Sequence, residues 1–383
     1  MSQEIIPYNK QNINNSDIKI INEVLKSKFL TQGPKNNLFC DKIKKFTKAK
    51  YALVLNSATS ALHVACLSLN LKKNDYLWTS SNTFISSATA GIHCGAKIDL
   101  LDIDLNTGNL SVFDLEKKLK IAKKKRKLPK ILVVVHFAGI PCDMKKIKYL
   151  STKYNFKVIE DASHALGARY YKSNIGNCKY SDICIFSFHP IKSITTIEGG
   201  AITTNSENIY NSSKLLLNHG IVKNIDKEKK WLYDQRVLGF NFRMSDVSCA
   251  LGISQIKRIK KFIKKRRDIA KFYNKKLENL PLKIQKIDRN ILSSHHLYVV
   301  SFLDDNRDNF FKFMLKHKIQ LQYHYIPVYR HSFFKKNFKF NNKNFINMEN
   351  YYKRSISLPI YFDLKKKELN RIVNLIKFFF KII

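Results

Sequence analysis

From Tyr51 to Asn205 the sequence repeats one alternation: a short apolar run of strand length, a polar break, a stretch of helical spacing, then the next run. The runs are YALVLNS (51–57), YLWTSSNTF (76–84), AKIDLLDID (96–104), KILVVVHFAG (130–139), FKVIEDASHALG (156–167), ICIF (183–186) and AITT (201–204). A strand such as ILVVV, apolar at every position, must have both faces buried, which requires helices above and below its sheet. The alternation therefore predicts an α/β fold with a mostly parallel central sheet. Such sheets collect ligands at the carboxyl ends of their strands, so the residues that follow each run are the ones to read for chemistry.

Residues 16–27 read as an early amphipathic helix capped by Ser16. Gly33-Pro34 then forces a turn, and a second helix covers about 35–48. Thr59-Ser60 open the helix TSALHVACLSLNL directly after a strand. Free N–H groups and hydroxyls at a helix start suit a phosphate, although Ser57 or Thr59 could equally serve only as the helix cap. Beyond about residue 270 the pattern changes to short strands and helices: HHLYVVSFL, NFFKFMLKHK, IQLQYHYIPVY and a closing helix from Lys365. We expect an N-terminal segment and large domain over 1–255 and a smaller α+β domain over 256–383.

The net charge of +40 bears on what the chain binds. A large positive excess can mark a nucleic-acid binder. Here the lysines are spread from Lys42 to Lys381 alongside abundant Ile, Asn, Phe and Tyr, as AT-rich coding would produce. In the dense run at 257–267, Ile253, Ile256, Ile259, Phe262 and Ile263 recur at helical spacing, giving an amphipathic helix with a solvated basic face. A basic nucleic-acid-binding protein is therefore the weaker rival reading, and no nucleic-acid or membrane partner is expected. No apolar run approaches membrane-spanning length. The seven cysteines show no CxxC spacing, so no metal is expected and a reducing cytoplasm fits best. Neither G-x-G-x-x-G nor a Walker A loop occurs.

One lysine stands apart. Within SDICIFSFHPIKSITTIEGGAITTN (181–205), Lys192 sits among Phe, Pro, Ile and Thr, with no basic neighbour, between two strands joined through a Gly-Gly turn. An apolar setting lowers an amine's pKa and makes it a candidate for Schiff-base chemistry; a plain strand-turn-strand hairpin is the alternative. Asp161, ending its strand with His164 three residues on, is either a ligand group or a turn former.

Four ordered motifs, SATS, EDASH, SFHPIKSITTIEGGA and GFNFRMSD, together resemble the DegT/DnrJ/EryC1/StrS family of pyridoxal-phosphate-dependent sugar aminotransferases. The resemblance runs along essentially the whole chain. SKFLTQGP, NSATSAL, DASHALG and QYHYIPVY point to the branch that serves pseudaminic acid synthesis. It implies a PLP-dependent transferase of fold type I, a homodimer with shared active sites, and pyridoxal 5'-phosphate as cofactor. It also implies a UDP-linked 4-keto sugar and L-glutamate as substrates, with another nucleotide 4-keto sugar of bacillosamine or perosamine type as the alternative. By the same resemblance Lys192 is the catalytic Schiff-base lysine and Asp161 partners the pyridine nitrogen. Phe84 stacks on the ring, His164 meets its edge, and Thr59, Ser60 and Ser187 hold the phosphate, with Asn241 reaching it from a neighbouring subunit. Tyr8, Lys28, Phe29, Leu30, Thr31, Ala58, His324, Tyr325, Ile326 and Pro327 match positions that line the sugar-nucleotide site, to which Ser187 and Asn241 also belong. His189 and Glu198 are expected to be structural only.

Overall fold

The computed structural model describes residues 4–223, 225 and 228–382. All seven apolar runs become strands: β1 (Tyr51–Leu55), β2 (Tyr76–Ser80), β3 (Lys97–Leu101), β4 (Ile131–Val135), β5 (Lys157–Asp161), β6 (Ile183–Ser187) and β7 (Gly200–Thr204). They form one sheet in the order β1-β7-β6-β5-β4-β2-β3. The pairs from β3 through β6 are parallel, whereas β7 runs antiparallel to both β6 and β1. Every residue of β4 is buried, as its unbroken apolar run required. Alternate side chains feed two separate cores: Val134, Val158 and Phe186 enter one, Val133, Ile159 and Ile185 the other. The helices α2 (Pro34–Thr47), α3 (Ala58–Ser68), α4 (Ser86–His93), α5 (Val112–Lys124), α6 (Met144–Tyr154) and α7 (Glu207–Leu216) cover these faces. The fold class expected from the sequence is the one observed.

Three local expectations change. The first helix, α1 (Asn15–Leu25), is capped by Asn14 rather than Ser16: Asn14 accepts from the Ser16 and Asp17 amides, and the Asp17 carboxylate accepts from the Asn14 amide. Asp17 is fully buried and also accepts from Gln255, 2.9 Å away and far along the chain, so the cap is anchored from outside the segment. The Gly-Gly turn is no turn. Gly200 opens β7, and a Cβ there would lie 2.5 Å from the backbone of Ser57 and Ala58. Gly200 lets the strand press against the start of α3, and the left-handed residue is Ile197, at φ 70°. Finally, 319–329 is not a strand. It makes single bridges from Ile319 to Ile6 and from Gln322 to Ser357, then crosses the end of the large sheet.

The strands β8 (Leu282–Ile284), β9 (Tyr298–Phe302) and β10 (Ser355–Leu358) form a small antiparallel sheet over a third core containing Phe302, Phe310, Met314 and Phe379. The helix α8 (Asp246–Leu277), capped by Ser245, spans 32 residues and passes through the boundary expected at 255. Its first half buries Ile253, Ile256, Ile259, Phe262 and Ile263 in the large-domain core, and its last turns bury Ile269, Tyr273 and Leu277 in the small one. Among the described residues no helix is long and apolar enough to cross a membrane.

Candidate active site

The carboxyl ends of β5 and β6 open into a cavity of about 580 Å³. The starts of α3 and α4, the 187–198 loop, Tyr8 and the 322–331 segment complete its wall. Tyr8, Ala58, Thr59, Phe84, Asp161, His164, Ser187, Lys192, His324, Tyr325 and Ile326, all singled out from the sequence, converge there.

Asp161 ends β5 with its carboxylate buried. Oδ2 accepts from Ser87 Oγ at 2.7 Å and Oδ1 from the Ser163 amide at 3.1 Å. Ser87 is in turn 2.8 Å from Thr83 Oγ1. The carboxylate is therefore aimed by two fixed donors. Sequence reasoning missed Ser87, which lies 74 positions from Asp161 and reads as one more small residue in SSATAG. We expect Ser87→Ala to lower turnover by about tenfold, since a hydrogen bond to a charged group is worth about 1.5–3 kcal/mol. Steady-state kinetics of the folded variant checks this, and an unchanged rate means that Ser163 alone positions the carboxylate.

His164 lies between two rings. Its Nε2 shares a 3.0 Å hydrogen bond with Tyr325 Oη, and its ring centroid is 4.2 Å from that of His296. Burial, reinforced by the positive charge of Lys192, holds its pKa well below the ordinary histidine value, which favours the neutral ring. His324 is likewise pushed down, to about 3, by burial and then by Lys192. Nδ1 of His164 is buried with no hydrogen-bond partner among the described residues.

Lys192 is placed by a tight loop. Its amide donates to His189 O, the Thr196 amide and the Thr195 hydroxyl donate to Phe188 O, and the Phe188 amide donates to Gly199 O. Burial drives the pKa of its amine down to about 8, with the negative charge of Asp161 opposing. A lysine so placed is a nucleophile near neutral pH. His189 and Glu198 also line the cavity, beyond the structural part expected of them.

At the other end, Ser57 caps α3 by accepting from the Ser60 amide at 3.0 Å. Ser57 Oγ and Ser60 Oγ are 2.9 Å apart, as are Thr59 Oγ1 and Ser86 Oγ. Capping and anion binding are thus compatible here: hydroxyls cluster round the positive end of a helix. Ser60 supports Ser57 rather than lining the cavity, and Pro327 also stands off it. Lys28, Phe29, Leu30, Thr31 and Asn241 lie outside, all exposed. Thr31 bridges to Ser245 and Asn241 to Asn218.

These residues fit pyridoxal phosphate. There is a hydroxyl-lined helix start for its phosphate, a fixed carboxylate for its ring nitrogen, an unpartnered buried imidazole nitrogen, and a lysine amine with a lowered pKa. The model of the DegT/DnrJ/EryC1/StrS aminotransferase family matches residues 11–377. The chain belongs to that family. Within it, the chain is 40% identical, over 95% of its own length and 94% of the relative's, to UDP-4-amino-4,6-dideoxy-N-acetyl-beta-L-altrosamine transaminase of Campylobacter jejuni. It is 28% identical to GDP-perosamine synthase of Vibrio cholerae, over 99% of this chain and all of the other. Among solved structures, Helicobacter pylori PseC, an aminotransferase of pseudaminic acid biosynthesis, superposes with a TM-score of 0.91, 28% identity and coverage of 99% and 100%.

Proposed function

We propose that this aminotransferase moves the amino group of L-glutamate to C4 of a UDP-linked 4-keto-6-deoxy-N-acetylhexosamine. The product would be UDP-4-amino-4,6-dideoxy-N-acetyl-β-L-altrosamine, a step of pseudaminic acid synthesis in the cytoplasm. The observation that carries the reading is the meeting of Lys192 and Asp161 in one cavity with the hydroxyl cluster of α3. The similarity to the altrosamine transaminase over nearly the whole chain supports the choice of sugar.

Pyridoxal phosphate, when bound, supplies an electron sink for the carbanion formed at the carbon that loses its proton. The chain supplies the rest. Lys192 Nζ would hold the cofactor until the amino donor displaces it, and the freed amine would then take the proton from one carbon and return it to the next in each half of a ping-pong cycle. Asp161, aimed by Ser87 and Ser163, provides the negative charge that keeps the ring nitrogen protonated. Ser57, Thr59, Ser187 and the α3 amides, with Ser60 behind them, take the phosphate, and Phe84 covers the ring face. Neutral His164 places a hydrogen-bonding edge beside the ring without adding positive charge. Tyr8, Ala58 and the His324–Ile326 segment form the wall that a sugar would meet. A second copy of the chain would bring Lys28, Phe29, Leu30, Thr31 and Asn241 to its neighbour's cavity. Phe29 and Leu30 are about half exposed in the single chain, which suits a surface awaiting a partner.

Because Lys192 attacks only as the free amine, loading of the apoenzyme with pyridoxal phosphate should depend on pH. Its folded pKa of about 8 lies below the ordinary lysine value of 10.5. The neutral fraction therefore climbs about tenfold per pH unit below that point and levels off above it. Stopped-flow absorbance of cofactor capture should show a plateau from about pH 8; a rate still climbing past pH 10 would mean that the amine is not depressed.

Assaying the enzyme against UDP- and GDP-linked 4-keto sugars with L-glutamate, and assigning the configuration of the product amine by NMR, tests the whole proposal. Formation of 2-oxoglutarate with the UDP-linked sugar and an altrosamine-configured product supports it. Turnover confined to a GDP-linked sugar, or the opposite configuration at C4, overturns it.

A further inference from the structure

A second cleft, of about 810 Å³ and thus larger than the active-site cavity, lies between α2, α8 and the short strands at Arg169–Tyr170 and Ile291–Leu292. Its lining includes eight lysine and arginine side chains and no carboxylate. The charges are arranged in rows. Lys42 and Lys45, three apart on α2, share one helical face and face Lys257, Lys260 and Lys264 on α8. Of these eight cleft cations, only Lys264 has a carboxylate partner among the described residues, Asp268 at 3.1 Å.

Arg169 and Arg267 line the same cleft. Arg267 is half-buried and tied down, Nε donating to Ser293 O at 2.8 Å and Nη2 to Gly167 O at 3.3 Å. Burial and the positive charge of nearby Arg169 both lower its pKa. A chain that sets two guanidiniums together with no acid between them pays a repulsion that an anion would relieve. The floor is apolar: Ile256 and Ile263 are buried and Phe46 partly so, with Leu292 exposed at the rim. Apolar walls weaken screening and strengthen attraction for an anion lodged against them.

We propose that this cleft binds a soluble polyphosphate-bearing small molecule of the nucleoside diphosphate or triphosphate class. The phosphates would lie between the lysine rows and Arg169, with the flat ring against Phe46 and Leu292. The volume is that of a small-molecule pocket. A nucleic acid would need a longer track. The site is separate from the cavity that holds Lys192.

The test is calorimetric titration of the cofactor-loaded enzyme with inorganic triphosphate, at two salt concentrations. We expect one saturable site whose affinity falls steeply with salt, because exposed charges are screened beyond about 8–10 Å. Lys45→Glu with Arg169→Glu, both exposed positions, should weaken binding by about tenfold or more, roughly 1.4 kcal/mol. Lys366→Glu with Lys367→Glu, an equal charge change on the exposed start of the last helix, should leave it within about twofold of the parent. Should the first pair fail to fold, Lys257→Glu with Lys260→Glu reads the same cleft. Equal weakening by both pairs would assign the binding to the field of the whole cationic chain, and competition by the UDP-linked sugar substrate would assign it to the active site. Either result overturns the proposal.

Discussion

Lys192→Ala should abolish transamination and remove the near-ultraviolet to violet absorbance that covalently held pyridoxal phosphate gives. The loss in turnover should be roughly 10⁴-fold or more, since general acid–base catalysis alone contributes up to that factor and the covalent anchor is lost with it. The structure makes substitution by another group unpromising. His164, His296 and His324 lie closest in kind, but burial holds all three well below the ordinary histidine pKa, as weak bases that favour the neutral ring. The variant should still bind the cofactor through the α3 hydroxyls and Asp161, so dialysis against the free cofactor separates lost chemistry from lost binding. Partial rescue by a small primary amine would place the defect at Nζ itself. A variant with near-normal turnover would remove Lys192 from the reaction.

Asp161→Asn should retain the shape of the site and lose its charge. An amide can still accept from Ser87, but it no longer opposes a protonated ring nitrogen. Two unit charges about 4 Å apart near a protein surface interact by about 4 kcal/mol, so a fall in kcat of roughly 10²–10³-fold is expected, in the range found when one transition-state-stabilising group is removed. Cofactor affinity should change much less, because the phosphate contacts are untouched. The distinguishing readout is this split, with kcat collapsing while the cofactor Kd moves by less than about tenfold. An unchanged kcat would mean that another group holds the ring nitrogen; equal losses in both would make Asp161 a binding residue only.

Much of the fold was legible because it rests on local pattern. Each apolar run had to be a buried strand, and Ser57 was one of two candidate caps, with Thr59, by its position before an apolar helical stretch. Asp161 and Lys192 were visible for a related reason: one is a carboxylate at a strand end and the other an isolated amine in an apolar loop. Other features depend on contacts between distant segments. Nothing local to Gly199-Gly200 says that β7 must approach the start of α3, so the pair reads as a turn. Nothing near Asp17 announces Gln255, so Ser16 reads as the better cap. Ser87 holds Asp161 only because α4 packs across the sheet end, and the direction of β7 is set by its neighbours on both sides. The run 319–329 has the composition of a strand, but only two of its residues make bridges.

The helix α8 has a further consequence. Its first half belongs to the core beneath the seven-stranded sheet and its last turns to the core of the small sheet, with no break between. Neither sheet can come apart without stripping one end of a helix that the other still holds. Ile6, buried in the small core while its chain leads on to α1, stitches the two from the opposite side. Heat or denaturant should therefore meet one cooperative unit and produce a single transition. The cavity is walled by strand ends of the large sheet and by the 322–331 segment that leads on from the small core, so it should vanish in that transition rather than survive on a residual half.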